Sequence, residues 1–170
     1  MFICYGCKEE QEEIIEPPKE IEVEEKETEE EMPIEVELEE PKISRCDRIL
    51  EAWKMIEGYP YVWGGESFAE GGFDCSGAIY KVQKTIGEPV PRTTSRKYNL
   101  LAGGNTKHWK DGQCGDWIWW TFTPDRPYGH IGQHTEENIW QSGSSTGPTE
   151  ISIWPGSYWD GIFEETKSLK

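Results

Sequence analysis

Asp74-Cys75-Ser76-Gly77 places one thiol at the predicted first turn of a helix, behind the glycine-rich approach Gly64-Gly65 and Gly71-Gly72-Phe73. A helix start offers unpaired N–H groups and partial positive charge, and both favour a thiolate over a thiol. A cysteine so placed is a candidate nucleophile. Its candidate base is His130, in the strand-like run Tyr128-Gly129-His130-Ile131-Gly132. In such a pair the imidazole takes the thiol proton, sulfur forms an acyl-enzyme, and the imidazolium returns the proton to the leaving amine.

These residues need rigid elements to hold them. Ser44 is a plausible N-cap for a first helix over residues 45–57, with Ile49, Leu50, Trp53 and Ile56 at helical spacing and Gly58 as the stop. Tyr59 to Gly72 reads as a loop. Asp74 caps a second helix over 75–86, whose apolar stripe is Ala78, Ile79, Val82 and Ile86. Cys75 thus opens a helix whose body is buried. Thr94 to Leu101 can form a short third helix. From Asp116 the pattern changes to strands. Trp117-Ile118-Trp119-Trp120 is apolar on both faces, as expected of a central strand covered on both sides. Residues 129–134 and 138–142 suit a hairpin, and Thr149 to Trp154 a fourth strand. Helices first and a mostly antiparallel sheet afterwards define an α+β domain over 43–170.

The charge lies elsewhere. Residues 8–42 hold 17 Glu and 4 Lys, which accounts for −13 of the formal −16. Residues 1–42 therefore read as a disordered, self-repelling acidic spacer, although Ile21, Val23, Ile34, Val36 and Leu38 alternate weakly with Glu. The acidic balance and the lack of a basic tract argue against nucleic acid as a partner. No stretch is long enough to span a membrane. The start, Met1 to Cys7, has two readings. Gly6-Cys7 resembles a lipoprotein cleavage site, which would make the membrane a partner through a lipidated Cys7; the alternative is an ordinary cytoplasmic N-terminus. Cys46 falls on the first helix and Cys114 in a turn before Gly115-Asp116. Five cysteines without regular spacing argue against a disulfide framework, so both read as structural or incidental.

Five motifs run in order: Tyr61-Val62-Trp63-Gly64-Gly65, Gly72-Phe73-Asp74-Cys75-Ser76-Gly77, Pro91-Arg92-Thr93, Gly115-Asp116 and Gly129-His130-Ile131-Gly132. Together they resemble the NlpC-type cysteine peptidases, bacterial cell-wall hydrolases with a compact papain-like fold, over about residues 45–153. The resemblance implies cleavage of peptidoglycan stem peptides after a γ-linked D-glutamate, with Cys75 as nucleophile and His130 as base. It implies an orienting residue at Gln141, where the family often has His. A neutral amide can fix an imidazole's tautomer but cannot stabilise imidazolium as a carboxylate would. It also implies substrate contacts from Tyr61, Asp74 and Ser76, the last two toward a free amine. The chemistry requires no cofactor, and the chain reads as a monomer.

Three other features bear on function. In a strand His134 points to the same face as His130, so it competes for the base role. His108 lies in a polar loop and reads as solvated. Trp63 and Trp140 flank the motifs and are candidate cleft walls. Two function classes remain: a hydrolase, including an amidase or acyltransferase on the same fold, and a catalytically weak module that binds wall peptides. Three settings suit them: the cell envelope, a phage particle, or cytoplasmic recycling of wall peptides.

Overall fold

A computed structural model describes residues 42–168. The acidic spacer and the two readings of Met1 to Cys7 lie outside the described residues.

Helix α1 (Arg45–Ile56) opens on a capping box: Ser44 Oγ accepts the Asp47 N–H at 3.0 Å, and the Asp47 carboxylate accepts the Ser44 N–H at 3.3 Å. Its buried stripe is Ile49, Ala52, Trp53 and Ile56. After it, the segment expected to be a loop contains a small hairpin, β1 (Glu66–Ser67) with β2 (Gly72–Phe73). Helix α2 (Cys75–Thr85) follows, and Asp74 Oδ1 accepts the Gly77 N–H at 2.6 Å. Its first turn presses against the hairpin so closely that a Cβ at Gly77 would stand 1.9 Å from the Gly65 carbonyl oxygen. Only glycine fits there, which fixes where Cys75 enters the fold. Helix α3 (Ser95–Leu101) is capped by Thr94.

The sheet has the antiparallel order β6-β5-β4-β3-β7, from β3 (Trp117–Trp120), β4 (His130–His134), β5 (Ile139–Gly143), β6 (Gly147–Ile151) and β7 (Phe163–Lys167). A short helix, α4 (Tyr158–Gly161), lies between the last two strands. One face carries the main core, where Trp117, Trp119, Ile131 and Trp140 meet Trp53, Ile79 and Val82 from the helices. The other face carries Ile118, Trp120 and Ile139, covered by Trp109, Trp159, Ile162 and Phe163. β3 is thus buried on both sides, as its apolar run requires. Each such side chain removed from water contributes roughly 1.5–3 kcal/mol.

Two expectations are corrected. The sheet has a fifth strand, β7, paired with β3. Phe163-Glu164-Glu165-Thr166-Lys167 looks polar, but Glu165 and Thr166 are buried because Lys167, Thr106 and Asn99 satisfy the Glu165 carboxylate. Second, Cys46 and Cys114 form a disulfide, with Cα atoms 5.9 Å apart. The first turn of α1 lies over the turn before β3, and that packing brings together two cysteines 68 residues apart. Replacing both (Cys46→Ala with Cys114→Ala) is expected to lower the unfolding free energy by about 2–4 kcal/mol. Thermal unfolding followed by circular dichroism reads this as a lower Tm, and an unchanged Tm would refute it.

Candidate active site

The register of the sheet brings the imidazole and the amide together. Trp120 pairs with His130, and Gly132 pairs with both Ile118 and Gln141. His130 and Gln141 are therefore diagonal neighbours on the face opposite the helices. Their side chains meet, with His130 Nε2 2.8 Å from Gln141 Oε1. The amide oxygen accepts, so Nε2 carries the proton and Nδ1 is the nitrogen left to exchange one. A Cβ at Gly132 would fall 2.6 Å from the Trp140 carbonyl oxygen and 2.9 Å from the Trp120 ring, so glycine is required between them.

Cys75 and His130 line one cleft of about 1130 Å³, together with Gln141, Tyr61, Asp74 and Ser76. All six residues singled out by the sequence thus share it. Trp63 stands at its rim, 84% exposed. Trp140 does not line it: this side chain is buried and stacks on Trp53, with ring centroids 6.0 Å apart. His134 also stands apart from the cleft. Four residues along β4 from His130, its ring packs on Gly112 and its Nε2 lies 3.3 Å from Thr166 Oγ1. Among the described residues, no three His, Cys, Asp or Glu side chains converge to hold a metal ion.

The electrostatics differ from what the helix start alone suggests. Backbone N–H groups of Ile131, Ser76 and Cys75 do pull the Cys75 thiol down, but burial and then the charge of Asp74 outweigh them and push it up to about 12. Burial pushes His130 down to about 4, against the Gln141 hydrogen bond and Asp74, which both raise it. The resting pair is a neutral thiol and a neutral imidazole. Burial of Tyr61, followed by the charges of Cys75 and Asp74, pushes its phenol up, which keeps it a proton donor.

Asp74 is more heavily engaged than a helix cap needs to be. Besides the Gly77 N–H, its carboxylate accepts from Ser76 Oγ at 2.9 Å and from the Gly64 N–H at 2.9 Å. Arg92 Nη2 lies 3.3 Å from both carboxylate oxygens, and Arg92 Nη1 donates to Ser76 Oγ at 2.9 Å. Arg92 also pairs with Glu66 at 2.6 Å. The sequence motif contained Arg92 without giving it a task; the structure makes it the counterion of the Asp74–Ser76 corner. A second group was missed altogether. Trp120, Phe122 and Trp159 surround His130 with ring centroids 5.6, 5.2 and 5.9 Å away. Trp159 follows Pro155-Gly156 in a tail-like stretch that gives no local sign of reaching the site.

Residues 58–164 match the NlpC/P60 family. The chain is 30% identical over 115 residues to the gamma-DL-glutamyl hydrolase of Bacillus subtilis (strain 168), an alignment that covers 65% of this chain and 26% of that protein. Its fold is similar to that of a lipoprotein-like NLP/P60 protein from Staphylococcus aureus, with a TM-score of 0.60 at 23% identity, covering 78% of this chain and 44% of that one. It is also similar to RipD from Mycobacterium tuberculosis, described as a non-catalytic NlpC/p60 domain protein adapted to peptidoglycan binding, with a TM-score of 0.55 at 17% identity over 75% of this chain and 99% of that one. The chain thus spans less than half the length of the first two. The match over residues 58–164 takes in both Cys75 and His130 and well over half of the sequence, and the chain belongs to the NlpC/P60 family.

Proposed function

We propose that this protein is a cysteine hydrolase that cuts a peptide or isopeptide bond next to a γ-linked D-glutamate in peptidoglycan stem peptides. The observation that carries the proposal is the convergence of Cys75 at the start of α2 with the hydrogen-bonded His130–Gln141 pair in one cleft.

The resting state fixes the order of events. With thiol and imidazole both neutral, the proton leaves Cys75 Sγ for His130 Nδ1 as sulfur bonds to the carbonyl carbon. The oxyanion is held by the Cys75 backbone N–H at the start of α2, with Tyr61 as a second donor. Collapse breaks the C–N bond, and the imidazolium gives its proton to the leaving amine. His130 then takes a proton from water as its oxygen attacks the thioester; the C–S bond breaks, the acid leaves, and the imidazolium returns the proton to Cys75 Sγ. Gln141 holds the imidazole by Nε2 throughout. Tyr61, Asp74 and Ser76 contact the substrate, and Arg92 sets the charge of their corner.

Two observations favour a second reading, a wall-peptide-binding module with little turnover. They are the neutral, buried thiol and the likeness to RipD. The Cys46–Cys114 disulfide supports export to the cell envelope or beyond, since cytoplasmic thiols are kept reduced.

The test is mass spectrometry of purified muropeptides after incubation with the full chain, with Cys75→Ala as control. The expected result is a new fragment that depends on Cys75. No fragment from muropeptides, stem peptides or free tripeptides, with binding of those peptides retained, would transfer the assignment to the binding module.

For the hydrolase, kcat/KM is expected to hold from neutrality down to about pH 4 and to fall below it as His130 protonates. An acid limb near pH 6.5 would contradict the burial of His130. Gln141→Ala is expected to lower kcat by about 10²-fold by freeing the imidazole. It should also move the acid limb further down, because the lost hydrogen bond raises the His130 pKa.

A further inference from the structure

Gln141 grips His130 at one point only. A single hydrogen bond at Nε2 sets the tautomer but leaves the imidazole free to turn about that bond. The ring plane must be set by something else, and three aromatic rings touch it. Trp159 stacks on it at an interplanar angle of 23°. Trp120 lies 5.0 Å from Trp159 and Phe122 6.3 Å from it, centroid to centroid. Core packing accounts for only part of this group. Trp120 is buried and Trp159 packs beside it in the core of this face, yet Trp159 also lines the cleft, as does Phe122, which is 48% exposed.

Trp159 is itself held from three directions. Ser157 Oγ accepts the Asp160 N–H at 3.2 Å and caps α4. Asp160 Oδ2 accepts the Gly156 N–H at 2.8 Å. Asp160 Oδ1 accepts from Trp109 Nε1 at 2.7 Å, which ties α4 to the turn before β3. A short helix of four residues is thereby fixed with its indole against the imidazole.

We propose that Trp159 is the positioning residue of His130: with Trp120 and Phe122 beside it, its indole fixes the imidazole plane and keeps water from the ring. The inference rests on His130 being the base of the proposed hydrolase. The stacked indole supplies the orientation that a neutral Gln141 leaves incomplete. Two effects of the rings oppose each other. Their π faces, within about 6 Å, stabilise an imidazolium, while their bulk removes the water that would stabilise it better. Burial is the largest effect on His130 and favours its neutral form, and we assign the rings a share of that burial. The charged and titratable groups facing it are Cys75 and Asp74 from α2, the latter compensated by Arg92, and Tyr61 from the preceding loop. Asp125 and Arg126, from the loop after Phe122, are both exposed and lie beside each other.

The test is an NMR titration of the imidazole nitrogens in the ¹⁵N-labelled full chain, with His130 assigned by His130→Ala. Wild-type His130 is expected to titrate near pH 4 as a single tautomer. In Trp159→Ala the midpoint should rise by about one pH unit or more and the tautomers should mix, while Trp159→Phe should stay close to wild type. Phe122→Leu, at a half-exposed position, should give a smaller shift in the same direction. On muropeptides, Trp159→Ala should lose about 10²-fold in kcat with KM changed by no more than about threefold. An unchanged midpoint and tautomer in folded Trp159→Ala would overturn the proposal; if that variant does not fold, an unchanged Phe122→Leu would do so. The titration needs no substrate. A wild-type protein that cuts nothing would defeat the hydrolase reading, and the NMR result would still decide the role of Trp159.

Discussion

The Asp74 carboxylate is the interaction on which the site depends. It anchors the loop before the hairpin by accepting the Gly64 N–H, starts α2 by accepting the Gly77 N–H, and meets Arg92 with both oxygens. A helix cap alone contributes about 1 kcal/mol. Here the same group also needs its partners, because a carboxylate on a side chain only 12% exposed is costly to leave uncompensated. Loop, helix and arginine are thereby fixed to one another, and the neighbouring Cys75 has one place to go. Gly77 completes the constraint by letting α2 rest on the Gly65 carbonyl.

The sheet divides the remaining work between its faces. Ile131 turns toward the helices and packs in the same core as Cys75, while His130 turns away with Gln141. The thiol is buried from the helix side and the imidazole among aromatic rings on the other, and both border the same cleft. Burial is the largest influence on each and favours the neutral form of both. Asp74 is the nearest carboxylate, and Arg92 already compensates it.

Local chemistry was legible in the sequence. The caps Ser44, Asp74 and Thr94, the apolar stripes and the two-sided run at Trp117 are written in neighbouring residues, and the helices and central strand formed where those signals stood. What was illegible depended on partners distant in the chain. β7 looked polar because the groups that satisfy Glu165 come from residues 99 and 106. The disulfide was hidden by an odd cysteine count and a gap of 68 residues. Trp140 could not be distinguished from a cleft wall until its stacking on Trp53 was known. The site followed the same division. Its residue types were readable from their motifs, but the burial that pushes the Cys75 thiol up against the pull of the helix start was not, because burial is a property of the whole fold.

Among the described residues the free thiol, Cys75, lies in sequence between the two cysteines that pair, and this has a consequence for maturation. Oxidative folding proceeds by thiolate attack on disulfides, so every reactive thiol in the chain is a potential wrong partner. A thiol that burial pushes up this far is overwhelmingly protonated at neutral pH. Once α2 has docked, Cys75 is nearly silent in disulfide exchange and a poor target for oxidants. The burial that keeps the Cys75 thiol protonated also lets it stay unpaired in the surroundings that join Cys46 to Cys114.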